Sequence, residues 1–433
     1  MRSGAPGAAN GRPESRNGSK ILLKRITTAD LRIGMFIDEF CGSWMDHPFW
    51  RAHFVVKTEH ELALIRASEV REVWIDADKG LDVPGGSAPA TDRATTETQI
   101  NDRLHSAAQN PPPRAAARAD LQGEFARATR IFRNSRGVVS NLFGEARMGK
   151  VSSIETAHKV VEDIAESVHR HPQALIGLAR LKTADDYTFM HSMAASALMV
   201  ALARALGLDA DAVREAGMAG LLHDVGKAQI PLAVLNKPDT LDEAEWQLMR
   251  SHPERGQVML QETPDVSAGM LDAVLHHHEK IDGSGYPHRL PAEKISRLAR
   301  MTAICDVYDA VTSDRAYKPG WEPTVAVRKM AEWSGHFDET LFQCFVRTVG
   351  IYPLGSLVRL KSQRLAVVVD HDPANLLQPV VKVFFSLKSK MHIEPIVVNL
   401  DKTQGDRIVG CEDPATHGFR HIPELWLPPG AAA

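Results

Sequence analysis

The run Leu221-Leu222-His223-Asp224-Val225-Gly226-Lys227 ends an apolar, helix-like stretch on an adjacent imidazole and carboxylate. Some fifty residues later, His276-His277-His278-Glu279 leads into Asp282-Gly283-Ser284-Gly285-Tyr286-Pro287. Neutral imidazole and carboxylate are the usual ligands of divalent first-row metals. The chain carries 19 histidines, and seven of them fall between His191 and His288. Solvated surface histidines would scatter. Taken singly, each has a plainer reading. His191 lies in an apolar helical stretch and suits a core residue. His252 precedes Pro253 and suits a helix cap. His277 and His278 suit the negative end of a helix dipole. Gathered around one His-Asp pair in one helical region, they fit a shared metal cage better.

The chain has 433 residues, 44% of them hydrophobic, which allows two or three domains with a substantial core. A formal net charge of -3 argues against a general nucleic-acid binder, which shows a basic footprint. It does not argue against a small phosphorylated substrate, because bound cations supply positive charge locally. Cys41, Cys305, Cys344 and Cys411 lie far apart, with neither zinc-type nor disulfide-framework spacing. A reducing cytoplasm is the expected compartment. No run approaches the ~20 apolar residues of a membrane helix. Residues 1–20 lack an apolar signal-peptide core and are expected to be a disordered tail.

Short β-prone runs predict a small α+β module over residues 21–83: Ile21 to Leu23, Met35 to Ile37, Phe54 to Val56 and Val70 to Ile75, with a helix over His60 to Ala67. Residues 84–118 are rich in Pro, Ala, Ser and Thr and read as a linker. From 119 to 349 the period is helical, predicting roughly ten helices. Asp185 to Leu206 is apolar nearly all round and predicts a central buried helix ended by Gly207. Thr240 and Glu243 suggest a capping box. After Gly350, four β-prone runs between Leu357 and Leu400 predict a β extension over 350–433, with a loose tail after about His421.

The ordered motifs of residues 119–349 resemble the HD-GYP family of HD metal-dependent phosphohydrolases. They are Asp186-Tyr187-Thr188-Phe189-Met190-His191-Ser192, Leu221 to Lys227 with Ile230-Pro231, Asn236-Lys237-Pro238, His252-Pro253, His277 to Pro287, and Asp306-Val307-Tyr308-Asp309-Ala310 with Thr312-Ser313-Asp314-Arg315. The first eighty residues resemble an uncharacterised module often fused to such domains. The resemblance implies a mainly α protein: an all-helical HD-type domain with a small N-terminal α+β regulatory module and a short C-terminal β extension. It implies hydrolysis of the bacterial messenger cyclic di-GMP to pGpG or GMP. The implied metal ligands are His191, His223, Asp224, His252, His277, His278 and Asp306, with Asp224 bridging. Asp224 and Lys227 are the implied catalytic residues, with Lys227 beside the scissile phosphate. Asp282, Gly283, Gly285, Tyr286, Pro287 and Arg315 are the implied substrate contacts; Tyr187, whose phenol is a poor metal ligand, is read separately as a hydrogen-bonding group for a ligand or for substrate phosphate.

Elementary chemistry agrees. A phosphodiester repels an incoming anion, and two cations neutralise that charge and acidify water. Lys227 can stabilise charge on the phosphoryl oxygens. No Ser/His/Asp arrangement competes. The sequence departs from the family in two places. Tyr187 stands where some relatives carry a carboxylate for a third metal, so two divalent ions, iron or manganese, are expected. Asp185 or Asp186 leaves a third open. His288 to Lys294 also differs from the expected Gly-containing form, which bears on loop shape. Two other readings compete: an HD phosphohydrolase for another cyclic or linear dinucleotide, and a non-catalytic messenger receptor that docks diguanylate cyclase domains through its Gly-Tyr-Pro loop. The complete ligand set favours the enzyme. A homodimer is compatible with each.

Overall fold

The computed structural model describes residues 23–42, 53–68, 70–84, 91–109, 120–180, 187–237, 241–313, 320–372, 375–403, 405–419 and 421–428. Expectations for residues 1–20, Asp185, Asp186, Thr240 and Arg315 lie outside these, as does the side chain of Tyr187. The chain divides into two compact units, one of residues up to 95 apart from 42–50, the other of the remainder.

Among the described residues, the first unit holds a five-stranded antiparallel sheet and a helix. Strands β1 (Leu23–Thr27), β2 (Phe36–Cys41), β3 (Phe54–Val55), β4 (Glu72–Asp76) and β5 (Thr91–Asp92) lie in the order β3-β2-β4-β1-β5. Helix α1 (Glu59–Ala67) starts at a Thr58–Glu61 capping box. Ile37, Ile65, Val73, Trp74 and Ile75 fill the core. The aromatic Trp74 is thus a packing residue.

The second unit is mainly helical. Its helices are α2 (Arg93–Gln109, from Thr96 onward), α3 (Leu121–Arg147), α4 (Glu155–Arg170), α5 (Pro172–Ala179), α6 (Tyr187–Ala205), α7 (Ala210–Leu222), α8 (Leu232–Leu235), α9 (Glu243–Arg250), α10 (His252–Leu260), α11 (Ala268–His276), α12 (Arg297–Thr312), α13 (Pro323–Glu332) and α14 (Glu339–Val349). As its composition predicts, α6 is buried on every side from Met193 to Ala203, and Gly207 after it takes φ +73°. Two glycines let the elements that carry the histidines close up. A Cβ on Gly220 of α7 would lie 2.8 Å from the Ala195 carbonyl oxygen of α6. A Cβ on Gly226 would lie 1.9 Å from the His252 carbonyl oxygen at the start of α10. Any larger residue at either position would force these elements apart.

Strands β6 (Leu357–Leu360), β7 (Arg364–Asp372), β8 (Asn375–Ser386), β9 (Met391–Asn399) and β10 (Ile408–Cys411) form an antiparallel sheet in the order β10-β6-β7-β8-β9. Leu357, Leu365, Val367 and Phe384 join the helical core, while Val358, Leu360, Ala366, Val368, Val381 and Val383 make a second cluster. That is the period-2 alternation of a sheet with two apolar faces.

Three expectations change. The stretch read as a linker contains α2, whose Ile100, Leu104 and Ala107 are buried in the helical core. Their spacing is a helical stripe, diluted by the surrounding Ala, Thr and Pro. The tail after His421 is not loose throughout: Ile422, Trp426 and Leu427 are buried, and the Trp426 ring lies 6.0 Å from that of Phe125. The capping box of α9 is Asp242 with Glu245. Thr240 lies outside the described residues.

Burying Ile100 and Leu104 is worth about 1.5–3 kcal/mol each. A chain starting at Arg93 is therefore expected to melt about 5–10 °C above one starting at Ala119, as followed by circular dichroism. Equal melting temperatures would show that α2 adds nothing to the helical core.

Candidate metal centre

Five helices bring the expected ligands to one buried point. His191 comes from α6. His223 caps the C-terminus of α7, and Asp224 follows it. His252 opens α10, His277 caps α11 with His278 next, and Asp306 comes from α12. The seven side chains form two overlapping groups, His191/His223/Asp224/Asp306 and Asp224/His252/His277/His278, in each of which the ligand atoms all lie within 4.8 Å of one another.

Asp224 belongs to both groups and offers each a different oxygen. Its Oδ2 lies 3.3 Å from His191 Nε2 and 3.5 Å from His223 Nε2. Its Oδ1 lies 3.2 Å from His252 Nε2 and 3.8 Å from His277 Nε2. Asp306 Oδ1 completes the first group at 3.1 Å from His191 Nε2.

The other ring nitrogens are already committed. Nδ1 of His223, His252 and His277 each lies 2.8 Å from a carbonyl three residues back, those of Gly220, Met249 and Val274. A carbonyl only accepts, so each Nδ1 carries the proton and donates, leaving Nε2 with a bare lone pair. The Nε2 atoms of His252 and His277 nevertheless stand 3.2 Å apart. Two lone pairs at that distance repel unless a cation lies between them. Asp224 Oδ1 and Asp306 Oδ2 are buried without a hydrogen-bond donor. The donor set therefore fits divalent cations.

Electrostatics points the same way in the second group, and in the first it shows carboxylates drawing positive charge to the point. Burial holds His277 down at about 3 and His278 well below its ordinary value, so both stay neutral imidazoles able to ligate a metal. Burial opposes charge on His191 too, but the Asp224, Asp306 and Asp309 carboxylates outweigh it and push the imidazole up to about 10. Burial would raise Asp224, yet the Lys227 ammonium holds it well below the carboxylate range.

Lys227 donates from Nζ to Asp224 Oδ2. Tyr286 stacks on His278, with ring centroids 4.6 Å apart and an interplanar angle of 21°. The glycine loop lies against the ligands' own backbone: a Cβ on Gly285 would meet the His278 carbonyl oxygen at 2.5 Å. Gly283 takes φ +74°, and a cis peptide joins Tyr286 to Pro287. Asp282 is exposed, and its Oδ1 accepts from the Ser284 amide at 2.9 Å and hydroxyl at 2.6 Å. That bond shapes the loop. Arg315 is outside the described residues.

Two residues gained no role from sequence. Asp309 Oδ2 lies 2.6 Å from His191 Nδ1 and orients that ring. The available signal was its place one turn after Asp306 on the same helix. Glu279 accepts from the His288 amide at 2.7 Å and the Leu290 amide at 3.0 Å, clamping the segment that departs from the family form.

Residues 159–341 match the family model described as HD domain, and residues 23–157 match a domain of unknown function, DUF3391. The chain is 49% identical over 409 residues to a cyclic di-GMP phosphodiesterase of Pseudomonas aeruginosa, covering 94% of this chain and 96% of that protein. It is 36% identical over 204 residues to the cyclic di-GMP phosphodiesterase response regulator RpfG of Xanthomonas campestris, covering 46% and 53%. It is 38% identical over 137 residues to the 3'3'-cGAMP-specific phosphodiesterase 2 of Vibrio cholerae, covering 31% and 26%. Two overlapping groups of imidazole and carboxylate able to hold metal, a Gly-Tyr-Pro loop whose Tyr286 stacks on His278, and near-full-length similarity to the Pseudomonas protein place the chain in the HD-GYP family of HD-domain metal-dependent phosphohydrolases.

Proposed function

We propose that the chain hydrolyses cyclic di-GMP at a centre of two divalent cations, iron or manganese, held by His191, His223, Asp306, His252, His277 and His278 and bridged by Asp224. One observation carries this reading: the two oxygens of Asp224 face two different sets of imidazoles. The Pseudomonas relative's name supports the substrate. Among the described residues, no helix is long and apolar enough to cross a membrane.

Bound cations supply charge neutralisation at the phosphate and an acidified water as nucleophile. The protein supplies the rest. Burial of the ligand set keeps the local dielectric low, so each charge acts strongly. Lys227, with its side chain 22% exposed, places an ammonium at the open edge of Asp224, where it can donate to a phosphoryl oxygen as negative charge grows. The rings of His191, His223, His252 and His277 are fixed beforehand by Asp309 and by backbone carbonyls. Tyr286 and the glycine loop bound the side on which substrate enters.

The test is anaerobic purification, elemental analysis and turnover of cyclic di-GMP with iron or manganese. Binding of the messenger without turnover, at full metal content, would move the reading to a receptor. Asp224→Ala is expected to abolish turnover and cut bound metal below one ion per chain, with helical circular dichroism preserved. Near-normal turnover would exclude the bridge. Lys227→Ala is expected to lower kcat by about 10²-fold with metal content nearly intact. Loss of the metals would make Lys227 structural. Asp309→Asn is expected to weaken metal binding about 10–100-fold, with turnover recovering as metal is raised. A defect indifferent to metal concentration would exclude the orienting role.

A further inference from the structure

We propose that Arg250 reads the base edge of the substrate and gives the site its preference for guanine over adenine. This rests on the cyclic dinucleotide phosphodiesterase reading above. Arg250 lies in the last turn of α9, four residues after Trp246 and so on the same helix face. Its guanidinium carbon is 5.5 Å from the centroid of the Trp246 ring and 5.4 Å from that of the Tyr286 ring. Tyr286 in turn stacks on His278, a residue of the second ligand group. A ladder Trp246, Arg250, Tyr286, His278 thus runs from α9 to the metal centre. The chain gives a second tether, since His252 of the same group follows Arg250 by two residues.

The ladder has two chemical consequences. His278 and Arg250 both lie over the Tyr286 ring, which ties the guanidinium to an imidazole of the second group. A guanidinium held against two aromatic rings presents its N–H donors as a rigid planar fork and loses little freedom when it binds. Guanine shows two neighbouring acceptors, N7 and O6, which match that fork. Adenine shows N7 beside an amino donor, which meets another donor. Phosphate is the other ligand of a guanidinium. Here the phosphate belongs at the cations, with Lys227 beside them. Arg250 stands two ring contacts from His278, through Tyr286.

The test uses the full metal-loaded chain and measures kcat and KM for cyclic di-GMP, cyclic di-AMP and the hybrid cyclic GMP-AMP in wild type, Arg250→Ala and Arg250→Lys. The wild type is expected to prefer cyclic di-GMP. In Arg250→Ala the ratio of kcat/KM between cyclic di-GMP and cyclic di-AMP should fall about tenfold to hundredfold, mainly through KM, with the hybrid between them. Arg250→Lys keeps the charge but not the fork, and should recover only part of the preference. Equal losses on all three substrates would make Arg250 a phosphate contact and overturn the proposal. A fall in kcat at constant KM, shared by bis-p-nitrophenyl phosphate, would make it a prop for Tyr286 and overturn it too. A wild type that hydrolyses all three alike refutes the guanine preference and leaves the phosphodiesterase reading standing. A wild type inert on every cyclic dinucleotide refutes both.

Discussion

The structure turns on a buried meeting of acceptors. Imidazole lone pairs and carboxylate oxygens are driven together in a water-poor interior, and the protons that could separate them are directed elsewhere. Such an arrangement is costly on its own, since buried polar atoms without partners lose their hydration and gain nothing in return. It is favourable only when positive charge enters. Lys227 supplies one such charge at the rim, on the oxygen of Asp224 that faces His191 and His223. The remaining demand falls on divalent ions.

The rest of the fold serves that meeting. Gly220 lets α7 lie against the backbone of α6, which brings His223 beside His191. Gly226 lets the turn after Asp224 touch the start of α10, which brings the carboxylate to His252. Helix ends do the aiming. Three ligands sit where a C-terminal or N-terminal turn leaves carbonyls close by, and those carbonyls set each ring's tautomer.

Much of this was legible in the sequence, and the reason is chemical. Histidine and aspartate crowded into one helical region seldom serve any purpose but holding cations, so ligand types and the helical class could be read from residue identity and period. Geometry between elements could not. Nothing local to Gly226 says that the His252 carbonyl lies against it. The α2 stripe of Ile100, Leu104 and Ala107 was masked by composition, because three apolar residues among Ala, Thr and Pro look like a linker until a partner surface is known. Trp426 likewise reads as a tail residue until Phe125, far earlier in the chain, is seen beside it. Asp309 and Arg250 were invisible for the opposite reason. Each is an ordinary residue type for its helix, and its role comes from the ring it touches.

Because the ligands come from five separate helices, the ions that serve the chemistry are also cross-links of the core. Anything that binds the native state and not the unfolded chain adds to native stability as its free concentration rises. Ions held at this centre would thus stabilise the native chain as well as equip it for the reaction. Scarcity would empty the centre, loosen the helices around it and expose the chain to proteases, so that messenger breakdown declines through protein abundance as well as through turnover.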